Sequence, residues 1–285
     1  GVNFSVFSEN ATSVELLLFN DSQDKEPFQI IKLDDTKNNT FNFWHIFVEG
    51  LKPGVFYAYR VEGPNDPATG QRFNSKKIII DPYAKLVSDD LWDRQKSIDD
   101  SDNMDASMRA VVTNKNNYDW EDDKPLGTPM NETIIYEMHV GSFTKSPSSG
   151  ATNPGKFQSL IEKIPYLKDL GVTAVELLPI FKFDSKGTLP QNGLKNYWGY
   201  GTVGFFSPEN SYLIEQSKPD SLNELKDLVK ALHKAKIEVI LDIVFGYTGE
   251  GNQNGPTISM KGLDNSIYYM LSPDKNYYMD FSGCG

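Results

Sequence analysis

The chain has 285 residues, of which 39% are apolar and 24% charged, a composition that supports one large folded domain or two ordinary ones. Its net charge of −11 repels phosphate backbones and anionic bilayers, and no apolar run is long enough to span a membrane; both facts weigh against nucleic acid and membrane as partners. Cys284 is the only cysteine, and His45, His139 and His233 are scattered, so the expectation is no intrachain disulfide, no metal site and no cofactor.

Residues 1–85 read as all-β. Val2, Phe4 and Val6 alternate with polar neighbours, and apolar runs follow at Val14 to Phe19, Phe28 to Leu33, Phe43 to Val48 and Val55 to Val61. Short period-2 runs separated by turn signals predict a small immunoglobulin-like sandwich. Trp44 and the tyrosines at 57 and 59 suit either its core or a sugar-stacking face, and pattern alone favours the core. Over 86–132 the periodicity fades and aspartates crowd Ser88 to Asp105, which predicts an acidic, solvated connector.

From 133 to 285 the pattern is strand, helix, strand, helix, strand. The strands are expected at Thr133 to Gly141, Val172 to Ile180 and Glu238 to Phe245, the latter two almost continuously apolar, as strands covered on both faces are. A helical stripe through Phe157, Leu160, Ile161, Ile164 and Leu167 is expected to break at Pro165 and stop at Gly171. Ser221-Leu-Asn-Glu224 predicts a capping box opening a second helix. Parallel pairing with right-handed crossovers at this pace predicts the first three strands of a (β/α)8 barrel, incomplete in this chain. A doubly wound sheet is the rival, and its Gly-x-Gly-x-x-Gly turn is missing after the first strand. Between the second and third strands lies a loop of about 40 residues, far beyond the usual length and therefore expected to be functional. Its stretch Asn196-Tyr-Trp-Gly-Tyr-Gly sets flat rings between glycines, a combination suited to stacking on a sugar; Phe205 and Phe206 are expected to pack the loop down.

These stretches make the sequence recognisable. Gly1 to Thr12, Tyr136-Glu-Met-His-Val-Gly-Ser-Phe-Thr144, Gly171 to Ile180, Asn196-Tyr-Trp-Gly-Tyr200, Gly262 to Met270 and Phe281-Ser-Gly-Cys-Gly285 resemble isoamylase-type glycogen and starch debranching enzymes of the α-amylase family. The resemblance implies an amino-terminal fragment, a glucan-binding-type sandwich, and hydrolysis of α-1,6-glucosidic branch points with retention of configuration. Retention needs a carboxylate nucleophile and a carboxylic acid roughly 5 Å apart. In the family these follow the fourth and fifth strands, and a stabilising aspartate follows the seventh, so none of the three is expected here. Glu137, Glu176 and Glu250 are read as structural or loop charges. The resemblance assigns substrate binding to Tyr200, which matches the tyrosine stacking on the sugar at the cleavage subsite, and to Trp198 in the same cleft. Asp242 matches the aspartate that positions an arginine beside the nucleophile. The family reads Asp-Val-Val-x-Asn-His from that aspartate, whereas Gly246 and Tyr247 replace the Asn and His here, placing Tyr247 where a histidine donates to the reacting sugar.

The implied partner is a branched α-glucan, glycogen or amylopectin, with homo- or hetero-oligomers of isoamylase-type subunits, in bacterial cytoplasm or plastid stroma. Two alternatives stand beside hydrolysis: a catalytically inactive homologue that binds glucan or regulates a partner, and a branching enzyme or maltooligosyltrehalose hydrolase.

Overall fold

The structure, a computed structural model, describes residues 1–114, 118–185 and 193–285. The amino-terminal alternation does fold as a sandwich. Strands β1 (Val2–Phe7), β4 (Asn39–Thr40) and β5 (Phe43–Val48) form a three-stranded antiparallel sheet in the order β1-β5-β4. Strands β2 (Ser13–Phe19) and β6 (Phe56–Glu62) lie at the heart of the facing sheet, with β3 (Gln29–Lys32) on the edge beside β2. A two-stranded ribbon, β7 (Asn65–Asp66) with β8 (Gln71–Arg72), follows, and β9 (Ile78–Ile79) pairs with β6. Trp44 is buried with its indole N–H on the Ser8 carbonyl at 3.1 Å, which settles it as core.

The expected solvated connector gives way at two places. Strands β10 (Val87–Ser88) and β11 (Arg109–Val111) extend the facing sheet to the order β10-β11-β6-β2-β3, and Trp92, Ala106 and Met108 are buried. Strands of two and three residues are too short to show a period, and their aspartates disguise them. Asp89, for example, meets the fully buried Lys182 at 2.5 Å, and Glu209 meets the same ammonium at 3.0 Å.

The facing sheet is covered on both sides. Val14, Leu16, Leu18, Tyr57 and Tyr59 point to the sandwich interior, while Leu17, Phe19, Phe56 and Ala58 belong to a second core shared with the barrel segment. That segment supplies β12 (Ile135–Met138), β13 (Ala174–Leu177) and β16 (Glu238–Leu241), parallel and in the order β12-β13-β16. Ile135, Ala174 and Glu238 stand in register, as do Met138, Leu177 and Leu241. A short helix α1 (Val140–Phe143) leaves β12, and the crossover to β13 runs through α2 (Phe157–Ile161) and α3 (Ile164–Asp169), split where Pro165 enters the first turn of α3. Gly171 ends α3 with φ +81. Nothing lies within 4 Å of a Cβ placed there, so Gly171→Ala meets backbone strain alone. The expected cost is about 1 kcal/mol, read as a shift in the urea midpoint at unchanged m-value.

Two expectations need correction between β13 and β16. The long loop is not all loop: β14 (Phe181–Phe183) and β15 (Thr202–Pro208) pair as an antiparallel hairpin with irregular register, while residues 186–192 of that loop lie outside the described residues. Helix α4 (Leu222–Lys234) starts where expected, but without the capping box. Ser221 turns its hydroxyl to the Glu215 carbonyl, and Glu224 instead accepts from the backbone N–H of Ile214 at 2.9 Å and Glu215 at 3.0 Å. The carboxylate thus satisfies the approach to the helix rather than its cap. Last comes α5 (Met260–Tyr268), kinked at Asp264, whose carboxylate accepts from the backbone N–H of Glu9 at 2.9 Å and Asn10 at 2.8 Å in the sandwich.

Candidate functional site

Three loops converge beyond the carboxyl ends of β12, β13 and β16. The last is fixed at its root, where Asp242 N–H bonds the Leu177 carbonyl at 3.0 Å and carries the pairing of β16 with β13 one residue further. The Asp242 carboxylate then accepts a hydrogen bond from the Tyr200 hydroxyl. Partial burial raises the Tyr200 phenol above its ordinary range, and that hydrogen bond together with the charge of Asp242 adds to it. Tyr200 is therefore a neutral donor at every physiological pH.

The stretch preceding Tyr200 is shaped by its own backbone. Asn196 Nδ2 donates to the Tyr200 carbonyl, and Gly199 N–H donates to Asn196 Oδ1 at 3.3 Å. Gly199 has φ +87, and a Cβ there would sit 2.9 Å from the Pro179 carbonyl oxygen, so no other residue fits the turn. This turn leaves the Trp198 ring 65% exposed, 6.3 Å from the Tyr200 ring and tilted by 55° to it. Beside it, Tyr197 stacks on His139 with ring centroids 4.5 Å apart. His139 holds the loop at both nitrogens: Nε2 lies 2.8 Å from the Tyr197 carbonyl and 3.0 Å from the Tyr212 hydroxyl, and Nδ1 3.1 Å from Ser142 Oγ. Burial lowers its pKa below the ordinary histidine value. A neutral ring donating through Nε2 to Tyr197 meets this geometry.

Trp198, Tyr200 and Tyr247 line one cleft of about 340 Å³, with Arg94, Asp184 and Thr248 on its walls. Burial raises the Tyr247 phenol as well, with Cys284 and Asp242 contributing. Tyr247 and Thr248 also line a second, larger apolar cavity of about 480 Å³, walled by Tyr83, Phe205, Phe206, Phe245 and Met270 among others. Phe205 stacks on Phe245 at 5.6 Å, and Phe206 on Tyr83 at 5.5 Å. Phe206 is thus not packed down as expected: it stays half-exposed beside the sandwich, with the Lys85 ammonium 4.4 Å from its ring centroid.

The four residues singled out in the sequence, Trp198, Tyr200, Asp242 and Tyr247, come together. Sequence reasoning missed the wall opposite them. Asp184 is buried, accepts from the Trp92 indole at 2.9 Å and pairs with Arg94, whose guanidinium reaches the Gly249 carbonyl at 3.5 Å. Only a Trp-x-Arg within the acidic stretch hinted at this.

Glu250 is as structural as its reading requires. Its buried carboxylate accepts from Ile258 N–H at 2.7 Å, Ser259 N–H at 2.8 Å, Lys261 N–H at 2.9 Å and the Tyr269 hydroxyl at 2.6 Å. Glu137 and Glu176 stand side by side in register on β12 and β13. Among the described residues, no group of three or more His, Cys, Asp or Glu side chains is placed to hold a metal ion, and no helix is long and apolar enough to cross a membrane.

Comparison with known proteins follows the same division. The family model for carbohydrate-binding module 48, the isoamylase N-terminal domain, matches residues 1–84, and that for the α-amylase catalytic domain matches residues 128–282. Chloroplastic isoamylase 1 of Arabidopsis thaliana is 40% identical across the whole of this chain and 37% of its own length. The glycogen debranching enzyme of Serratia proteamaculans is 41% identical, over 43% of its length. The chain thus spans about two fifths of the curated relatives it matches. A mutant pullulanase of Paenibacillus barengoltzii, solved with maltotriose, superposes with a TM-score of 0.73 at 24% identity, over 99% of this chain and 42% of that one. Pullulanase type I of Bacillus subtilis, solved with maltose, gives 0.72 at 22% identity, over 99% and 36%. These likenesses establish the fold.

Proposed function

The chain belongs to the α-amylase family, and from that premise we propose that its protein is a debranching glycoside hydrolase acting on α-1,6 branch points of glycogen or starch. The observation that carries this reading is the Tyr200–Asp242 contact at the exit of β16, beside the open face of Trp198. An exposed indole supplies an apolar face to one sugar ring, and the Tyr200 oxygen, its proton committed to Asp242, accepts from a sugar hydroxyl, the pairing that carbohydrate recognition needs. Tyr200, Trp198 and Tyr247 bind the glucan; Asp242 fixes Tyr200. The retaining pair of carboxylates, roughly 5 Å apart, comes from barrel strands after the third. Solved relatives in complex with maltose and maltotriose agree with an α-glucan ligand.

The test is the full-length protein on amylopectin. Release of linear maltooligosaccharides with loss of branch points supports the proposal; a product set dominated by trehalose or by new branches would replace it with the trehalose-releasing or branching reaction. Tyr200→Phe removes one hydrogen bond to a carboxylate, and kcat/KM is expected to fall about tenfold with a loss of about 2–5 °C in Tm. An unchanged kcat/KM would remove Tyr200 from the site.

A second reading has its own observation, the replacement of Asn-His by Gly246 and Tyr247. It is a catalytically silent, glucan-binding subunit associated with an active isoamylase-type partner in bacterial cytoplasm or plastid stroma. Glucan retention without hydrolysis, joined to restored activity on mixing with an active subunit, would select it.

A further inference from the structure

We propose that Arg94 is a specificity-determining residue of the cleft, reading the adjacent 2- and 3-hydroxyls of one glucosyl unit. This rests on the reading of the cleft as a glucan site and adds the residue, and the edge of the sugar, that select its occupant. Arg94 comes from neither the sandwich nor a barrel strand. It lies in the acidic stretch between them, just ahead of a single 3-10 turn at Gln95–Ser97.

Its surroundings hold it still. Trp92 and Arg94, two residues apart, close on one carboxylate: the buried indole donates to Asp184 Oδ1 at 2.9 Å, and Arg94 Nη1 donates to Asp184 Oδ2. The same Nη1 reaches the Gly249 carbonyl at 3.5 Å, in the loop that carries Tyr247. Gly249 is fixed in turn. Its N–H bonds the Thr202 carbonyl at 2.9 Å, and a Cβ there would stand 2.6 Å from the Gly201 carbonyl oxygen. With Asp89 on Lys182 and Arg94 on Asp184, the stretch is pinned to β14 and to the residue after it. A side chain locked in this way loses little freedom when it binds.

What those contacts leave over decides the ligand. A guanidinium carries five N–H donors, and Arg94 spends only those of Nη1. Its Nε and Nη2 groups have no hydrogen-bond partner among the described residues. The side chain is 20% exposed and lines the cleft with Trp198, Tyr200 and Tyr247. Nε–H and one Nη2–H run parallel, a fork that fits two acceptors side by side. An α-1,4-linked glucan offers such a pair at C2 and C3 of every unit, on the edge of a ring whose face is free to stack on Trp198. Charge selects the same class of ligand. Asp184 cancels the guanidinium's charge at contact distance, on a chain of net charge −11. A phosphate or carboxylate therefore gains little here, whereas neutral hydroxyls need only the donors.

Arg94→Lys tests the assignment, because an ammonium keeps the pairing with Asp184 and has no fork. In the full-length protein Tm should fall by no more than about 3 °C. Isothermal titration with maltoheptaose, a linear chain, should show Kd raised about tenfold. A 2-deoxymaltooligosaccharide of the same length lacks one of the two acceptors, and parent and variant should bind it within about twofold of each other. On amylopectin the variant's KM should rise about tenfold with kcat nearly unchanged. Titration reads binding without turnover, so this binding pattern in a parent that hydrolyses nothing would overturn the debranching reading and leave Arg94 in place. Equal Kd for maltoheptaose in parent and variant would overturn the proposal. So would an equal loss toward both ligands, which would make Arg94 a prop for the Gly249 loop, and so would a parent that binds neither.

Discussion

Glu250→Ala is expected to destabilise the protein by about 3–5 kcal/mol, a drop of roughly 10 °C in Tm. The Glu250 carboxylate ties the glycine-rich loop after β16 to the start of α5. It satisfies the N–H groups of Ser259 and Lys261 at the helix N-terminus, where a negative charge is also favoured by the helix dipole. Truncation orphans three buried N–H groups and leaves the Tyr269 hydroxyl with Thr248 Oγ1 alone, at 2.6 Å. It also removes the charge that supports the buried Lys261 ammonium, leaving that group only the backbone carbonyls of residue 250, Asn252 and Gly255, now at 3.1, 2.9 and 3.0 Å. Burial already pushes Lys261 down to about 8 from its ordinary 10.5, with Glu250 opposing that fall. A lysine lowered in the native state holds its proton less firmly than in the unfolded chain. Stability therefore rises with pH between about 8 and 10.5, and the window should open at lower pH in the variant. Chemical denaturation at pH 7 and pH 9 measures both effects. A loss below 1 kcal/mol would show that the loop does not depend on this carboxylate.

Replacing Gly246 by Asn and Tyr247 by His together should raise kcat on amylopectin by about a hundredfold in the full-length protein. The structure has room for the change. Gly246 is not in the left-handed region, and a Cβ there meets nothing within 4 Å. Tyr247 lines the cleft beside Tyr200 and Trp198, so a histidine in its place presents a donor from a shorter and differently angled side chain. A donor displaced by about 1 Å from the reacting sugar is enough to account for a hundredfold. Single-turnover hydrolysis compares the two forms, and an equal or lower kcat would mean that this protein binds its sugar in another way.

The strongly periodic parts were legible in the sequence. The inward set of β1, the break at Pro165 and the stop at Gly171 all follow from side-chain alternation or from the conformational limits of single residues. Trp198, Tyr200, Asp242 and Tyr247 could be grouped through the family motifs they resemble, not through any local pattern. What escaped was built from long-range polar pairing. Lys182 with Asp89, and Asp184 with Trp92 and Arg94, join residues about 90 positions apart, and nothing local marks either end. The capping box failed for the opposite reason. Its residues were local and correctly spaced, but nearer backbone donors at Ile214 and Glu215 claimed Glu224.

The sheet that lies between sandwich and barrel bears on how this architecture can be taken apart. Leu17, Phe19, Phe56 and Ala58 sit in the same core as Met138, Val175 and Leu228, so separating residues 1–85 would leave a broad oily wall facing water. The carbohydrate module is therefore not portable: expressed alone it should aggregate, and within the chain it should melt together with the barrel strands in one transition. An ancestor able to exchange this module for another would first have had to make that wall polar.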